Sequence, residues 1–235
     1  MKIAVVCVTY NRPHTLGQII RCFERQDYIH KELVILDDAG QYAPTEGPGW
    51  RLVSMAERFT TLGEKRNAAS RLVSRDVEAL AVWDDDDLYM PWALRASAAV
   101  LERAEWSRPS LVLHPQPNGL LRQHRTEGLF HSGWAYRREV FERAGGYPAI
   151  NNGEDQGLAE RFRQLQVTEA DPLTLGFQPF LIYLWSDHLH LSRAGAMGYE
   201  NWGRYAIQPA VVEPSDPLLR LEASSIAEGI HDRIF

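Results

Sequence analysis

Apolar positions along the chain follow two rhythms. Residues 3–9, "IAVVCVT", are a continuous apolar, β-branched run, the pattern of a strand buried on both faces of a parallel sheet. Leu16, Ile19, Ile20 and Phe23 then recur at i, i+3, i+4 and i+7, one apolar face of a helix. Asn11 offers that helix an N-cap, with Pro13 in the first turn, where its missing N–H costs nothing. "ELVILDD" at 32–38 reads as a second strand, so the three elements form a βαβ unit with an expected right-handed crossover.

The alternation continues. Residues 39–50, rich in Gly and Pro, read as a loop, and "RLVSM" as a short third strand. Residues 63–75 carry helical spacing, "EALAVW" at 78–83 is another strand, and a helix is expected from near Pro91. Strand and helix thus alternate through residue ~105, which predicts an α/β fold with an open, mainly parallel sheet flanked by helices. Ligands of such sheets collect outside the carboxyl ends of the strands. Beyond residue 110 the pattern predicts strands joined by a turn at Asn118-Gly119, then a short helix stopped by Gly145-Gly146. "NNGEDQGL" opens another helix with Asn152 as its cap, and "FQPFLIYLW" reads as a late strand. Residues 194–235 fit no element, and Gly195 and Gly198 suggest hinges of a lid or an oligomer contact.

Composition narrows the function classes. With 235 residues, 45% hydrophobic and 24% charged, the chain can bury a core without metal or disulfide staples. A net charge of −6 with no basic run argues against nucleic acid as a partner. Cys7 and Cys22, outside any CxxC spacing, are expected as reduced structural thiols. No apolar stretch reaches a membrane-spanning length, so a soluble, cytoplasmic protein is expected, with peripheral membrane association left open.

The chemistry concentrates at "AVWDDDDLYMP" (81–91), where four aspartates directly follow an apolar strand. Two unit charges ~4 Å apart repel by about 1 kcal/mol in water and about 4 kcal/mol at an effective dielectric of 20. A cation is therefore expected among them, and oxygen-only ligation suits Mg²⁺ or Mn²⁺. In extended chain Asp84 and Asp86 face one point while Asp85 faces away.

"VVCVTYNRPHTL", "ELVILDDAG", "GEKRNAA" and "VWDDDDLYMP" together resemble the family 2 glycosyltransferases of the GT-A fold, densely over 3–92 and again over 131–163. The last segment fits the family's pattern apolar-Asp-x-Asp-Asp-x-x-x-Pro through Asp84, Asp86, Asp87 and Pro91. The resemblance implies a donor-binding half at 1–105, an acceptor-side half at 106–193 and an extension at 194–235. It implies that Thr9, Tyr10 and Arg12 touch the base and ribose of a nucleotide diphospho-sugar, most simply a UDP-sugar. Asp37 or Asp38 would recognise the base or ribose edge, and Arg66 the base or a phosphate. Asp86 would bind the metal directly; Asp84 would bind ribose, or the metal through water; Asp85 lies with them in the donor site.

In the same family an acidic pair opens a helix below the acceptor. Asp155 would be the general base of an inverting transfer, beside Glu154, and an anion is favoured at a helix N-terminus. Gly133 and Trp134 would line the donor sugar. His190, or His188, would add a metal ligand, although two histidines at i, i+2 also suit zinc. The acceptor, whether glycan, lipid carrier, metabolite or protein, is not specified. A nucleotidyltransferase would share the acidic site but carry a Gly-rich loop after the first strand, which "TYNRPHTL" lacks; a non-catalytic nucleotide- or sugar-binding module is the other alternative.

Overall fold

The computed structural model describes residues 1–115 and 120–184, together with the backbone of Ala206–Val212. In chain order the elements are β1 (Ile3–Thr9), α1 (Pro13–Glu24), β2 (Lys31–Asp37), β3 (Thr45–Gly47), β4 (Trp50–Ser54), α2 (Leu62–Arg71), β5 (Ala79–Asp84) and β6 (Leu88–Tyr89). There follow α3 (Ala93–Leu101), β7 (Trp106–Ser107), β8 (Leu111–Pro115), β9 (Leu121–Arg125), β10 (Ala135–Arg137), α4 (Arg138–Arg143) and α5 (Glu154–Gln164). The last are β11 (Glu169–Ala170), a 3-10 turn at Pro172–Leu175, β12 (Leu181–Ile182) and β13 (Ala206–Val212).

The central sheet runs β11-β7-β10-β5-β1-β2-β4-β3. Its middle, β5-β1-β2-β4, is parallel, with Val5 level with both Leu33 and Ala81. Alternate residues of β1 explain its unbroken apolar run. Ile3, Val5 and Cys7 enter one core with Leu16, Ile19 and Phe23 of α1; Ala4 and Val6 enter another with Ala69 of α2 and Leu158 and Phe162 of α5. Fully burying such a side chain contributes about 1.5–3 kcal/mol, so both faces anchor this strand. Cys7 and Cys22 are free and buried.

Past β5 the direction alternates. β10 runs antiparallel to β5 and β7, so β7 and β11 again point the same way as β5. The carboxyl ends of β1, β2, β5, β7 and β11 therefore lie along one edge of the sheet. A second sheet, β13-β9-β8-β12-β6, packs its residues Val112, Leu121 and Leu181 into the core of α1.

Several local expectations are corrected. Asn11 does not cap α1: it sits at φ +54°, and Arg12 holds the cap position without a side-chain cap bond. The loop at 39–50 contains β3, hairpinned onto β4. Helix α2 starts at Leu62, because Thr61 and Glu64 form a reciprocal capping box. Helix α3 starts at Ala93, and the late strand shortens to β12. At α5 the cap position falls on Gly153, one residue past Asn152, at φ +77°, a left-handed conformation that glycine adopts without a Cβ penalty. The turn at Asn118-Gly119 lies outside the described residues, although β8 and β9 on either side of it pair antiparallel.

Candidate active site

Strand β5 stops at Asp84, and Asp85–Asp87 turn away before β6. The turn is fixed from below. The Trp83 and Tyr89 rings stack with centroids 3.9 Å apart, and the Tyr89 hydroxyl accepts from the Asp84 N–H at 2.8 Å. That hydroxyl also bonds Ser132 Oγ, which donates to Asp87 Oδ2 at 2.7 Å, while the Leu184 N–H donates to Asp87 Oδ1 at 3.1 Å. Burial, then Asp86 and Asp84, push the Asp87 carboxyl well above the usual range. Asp87 thus fixes the turn and does not face the cleft.

Asp84 and Asp86 line the same cleft, as expected, although the strand ends at Asp84, but they pair with different arginines. Adjacent Asp85 and Asp86 share one of them: Asp85 Oδ1 and Asp86 Oδ2 each accept from Arg12 Nη1 at 2.8 Å. Asp85, expected to face away, is buried, and its Oδ2 accepts from Thr9 Oγ1 at 2.6 Å and Thr15 Oγ1 at 3.1 Å. Burial and the neighbouring Asp85, against the attraction of Arg12, push Asp86 up to about 7.

Asp84 turns to Arg66. Arg66 Nη2 donates to Asp84 Oδ1 and Nε to Glu154 Oε1, both at 3.2 Å. Burial opposes the guanidinium charge, but Asp84 and Glu154 outweigh it and raise its pKa. Glu154 is pushed up by burial against the pull of Arg66. Arg66 therefore acts as a buried tie between β5 and α5 through Nε and Nη2, while it also lines the cleft.

The second-strand acids are also engaged. Asp37, fully buried, accepts from Ser54 Oγ at 2.6 Å and the Ala39 N–H at 3.2 Å, so it shapes the strand end. Asp38 accepts from Lys65 Nζ at 2.5 Å and the Phe59 N–H at 3.1 Å. Burial lowers the Lys65 pKa, and Asp38 partly restores it. The Arg58 guanidinium lies 3.7 Å from the Tyr10 ring centroid. Thr9, Tyr10, Arg12, Asp38, Arg66, Asp84, Asp85 and Asp86 line one cleft with Arg58, Phe59, Lys65 and Asn151.

Four of these were not singled out by the sequence: Arg58, Phe59, Lys65 and Asn151. Lys65 follows the Thr61-x-x-Glu64 capping box and precedes Arg66, which is the one local signal for it. Asn67 of the same helix pins the chain before α5, bonding the Tyr147 carbonyl at 2.9 Å and its N–H at 2.8 Å.

Asp155 stands half-buried in the first turn of α5, where its Oδ1 accepts from the Gln156 N–H at 2.7 Å. Gln156 Nε2 donates to the Gly128 carbonyl at 3.1 Å. Gly128 belongs to a second cleft with Arg108, Thr126, Asp171 and Thr174, off the carboxyl ends of β7 and β11 on the same sheet edge. Two clefts thus share an edge, with the start of α5 reaching toward both through Glu154 and Gln156.

Gly133 and Trp134 do not line the first cleft. Trp134 is fully buried, edge-on to Trp106 and His131, and so is a core residue. Gly133 is buried at φ +85°, its N–H bonded to the Val82 carbonyl, and an added Cβ would meet Phe180 at 3.3 Å. His188 and His190 lie outside the described residues.

Among the described residues no three His, Cys, Asp or Glu side chains converge to hold a metal by themselves. The oxygens of Asp85 and Asp86 nonetheless meet at one cationic nitrogen. Such an oxygen-only pair fits Mg²⁺ or Mn²⁺, which fill their remaining positions with water and phosphate oxygens.

A parallel sheet with an acidic turn and a lined cleft at its carboxyl edge fits the GT-A class of proteins. The sequence model of "Glycosyl transferase family 2" matches residues 4–144, and the chain belongs to that family. A Bacillus subtilis protein described as "Uncharacterized glycosyltransferase YwdF" is 30% identical over 125 residues, 51% of this chain. The match spans 46% of that relative's length. Among solved structures, the mannosyltransferase PcManGT from Pyrobaculum calidifontis, in complex with GDP-Man and Mn²⁺, superposes with a TM-score of 0.61 at 17% identity, covering 97% of this chain and 73% of that one. TarS 1-349 from S. aureus, in complex with UDP, gives 0.57 at 16% identity, covering 78% and 60%. A mutant Drosophila β1,4-galactosyltransferase 7, in complex with manganese, UDP-Gal and xylobiose, gives 0.55 at 13%, covering 90% and 83%. These likenesses establish the shared fold. No helix among the described residues is long and apolar enough to cross a membrane.

Proposed function

We propose that the chain is a glycosyltransferase that moves a sugar from a nucleotide diphospho-sugar, a UDP-sugar, to an acceptor hydroxyl with inversion. The observation that carries this reading is the joining of Asp85, Asp86 and Arg12 with the Tyr10–Arg58 stack in one cleft. A planar base suits the aromatic face, and a diphosphate suits an oxygen-lined cation position together with Arg12, Arg58 and Lys65. Membership of the family and neighbours solved with UDP, UDP-Gal or GDP-Man support the donor class.

Asp85 and Asp86 are the residues that would hold Mn²⁺ or Mg²⁺, which when bound offsets the charge developing on the departing diphosphate. Asp155, carried on α5, accepts the acceptor hydroxyl's proton as that oxygen bonds to the anomeric carbon, a role for which a positioned carboxylate suffices when transfer is concerted. Arg66 and Glu154 set where α5 begins. The cleft at Arg108 and Gly128, on the same edge, supports an acceptor on the side of residues 106–193.

The test is calorimetric binding of UDP, GDP and dTDP with and without Mn²⁺, beside Asp86→Ala. Metal-dependent binding of UDP, lost in the variant, is the expected result. Selective binding of GDP would move the donor class, and no binding of any nucleotide to folded protein would remove the donor site.

A further inference from the structure

Lysine is seldom buried, and then only with partners to hold its charge. Lys65, near the start of α2, is such a case: 6% of its side chain is exposed, beside an Asp38 side chain at 4%. Its Nζ donates to the Thr9 carbonyl and to Asp38 Oδ1, each at 2.5 Å. Thr9 ends β1 and lies level with Asp37, the residue before Asp38. One ammonium thus ties together the carboxyl ends of two neighbouring parallel strands. Asp38 is also held at its other oxygen, where the Phe59 N–H donates at 3.1 Å.

These contacts leave capacity unused. An ammonium carries three N–H donors and a carboxylate about four acceptor sites. Among the described residues Lys65 donates two hydrogen bonds and Asp38 accepts two. Both line the cleft together with Phe59 and with Tyr10, on whose ring the Arg58 guanidinium is stacked. Those planar groups suit a flat heterocycle, and the Lys65–Asp38 pair offers its edge a group that only donates beside one that only accepts. So far from water, an edge with donor and acceptor reversed leaves both groups unpaired, the mismatch that a binding site rejects most strongly.

We propose that Lys65 is a specificity-determining residue of the donor site, reading the nucleotide base jointly with Asp38 so that a ring N–H beside a carbonyl is accepted. Uracil, thymine and guanine carry that pair. Cytosine and adenine carry the reverse, a bare ring nitrogen beside an amino group. This rests on the donor-site reading above and narrows it: Lys65 turns to the base, and the diphosphate is left to the other cations of the cleft. The hydrogen bonds of Lys65 do not extend to Asp85 or Asp86, so its removal spares the acidic turn.

The experiment is calorimetric binding of UDP, CDP, GDP, ADP and inorganic pyrophosphate, each with Mn²⁺. Wild type is compared with Lys65→Met and with Lys65→Gln, which is polar but one bond shorter; thermal melting identifies the folded variants. Wild type is expected to bind a keto base at least tenfold more tightly than its amino counterpart, UDP against CDP or GDP against ADP. In either folded variant that ratio is expected to fall below threefold, while pyrophosphate binds within threefold of wild type.

A ratio preserved in a folded variant overturns the proposal. So does equal binding of keto and amino nucleotides by wild type, a comparison that needs no substitution. A loss of pyrophosphate binding as large as the loss of nucleotide overturns it too, since Lys65 would then serve the phosphates. Failure of the donor reading has a separate signature, folded wild type that binds none of the four nucleotides, and it removes both.

Discussion

Arg66 and Glu154, 88 positions apart in sequence, meet at 3.2 Å in the buried space between α2 and α5. Since the same guanidinium holds Asp84, one side chain ties the acid turn to the helix that carries Asp155. Removing it would leave the buried Glu154 and the partly exposed Asp84 without this partner. Breaking a buried pair from one side costs about 3–5 kcal/mol. Arg66→Met is therefore expected to lower the urea-unfolding free energy by that amount, and adding Glu154→Gln to recover part of it. Strict additivity of the two substitutions would show that the contact carries no coupling.

Asp155 is proposed as the base, and its environment lets that role be separated from folding. Its carboxylate is half-exposed and bonds only within its own helical turn among the contacts described. Asp155→Asn should melt within a few degrees of wild type and bind UDP with Mn²⁺ unchanged. Sugar transfer should fall by about 10²–10⁴-fold, the usual contribution of a positioned base. Wild-type turnover in this variant would move the proton acceptor elsewhere.

Gly63 lies where α2 touches the chain before α5. Its N–H bonds the Ile150 carbonyl at 3.1 Å, and a Cβ there would run into the carbonyl of Pro148. Gly63→Ala must push α2 away from that backbone, carrying Thr61, Lys65 and Arg66 with it. We expect a loss of about 1–3 kcal/mol, as for other overpacked sites, together with weaker nucleotide binding. An unchanged melting temperature would mean that the contact relaxes freely.

His124 supplies a pH signature. Burial first, then His114 and Arg122, lower its pKa to about 4. An unfolded histidine titrates near 6.5, so between about 6.5 and 4 the unfolded chain binds the extra proton and stability falls with acidification. The buried carboxylates Asp86, Asp87 and Glu154, with raised values, act in the opposite sense over part of that range. They are common to wild type and His124→Phe, so the difference between the two isolates the histidine. The stability of wild type relative to the variant should decline from pH 6.5 to 4 and stay level above 7. Parallel curves would show that His124 protonates in the folded state without penalty.

The sequence makes the middle of the sheet legible for a physical reason. A strand covered on both faces must be apolar throughout, and "IAVVCVT" and "ELVIL" have no other reading in a chain of alternating elements. The acidic turn was equally visible, because four carboxylates after an apolar run demand an explanation. Its pairing was not: Asp85 and Asp86 share Arg12, while Asp84 pairs with Arg66. The Arg66 contacts depend on where α5 docks, which no local pattern encodes. Trp134 shows the opposite case: a large ring beside a glycine suits a sugar face or a core equally well, and packing against Trp106 and His131 decided it. The caps divide the same way. Thr61-x-x-Glu64 is a readable signature, whereas the cap position of α5 falls on Gly153, one residue past Asn152, with a left-handed backbone that no local pattern announced.

The acid turn itself is held from beneath by Trp83, Tyr89, Ser132 and Leu184, none of which carries a charge. Its shape is thus independent of whichever cation lies above it. If Asp85 and Asp86 hold a metal as proposed, the arriving ion meets a finished turn and loses no affinity to ordering a loop, a cost that elsewhere runs to about 0.5–1.5 kcal/mol for each side chain immobilised. Differences in binding between metals at this site should therefore reflect ionic size and hydration, with the protein's own conformational entropy dropping out of the comparison.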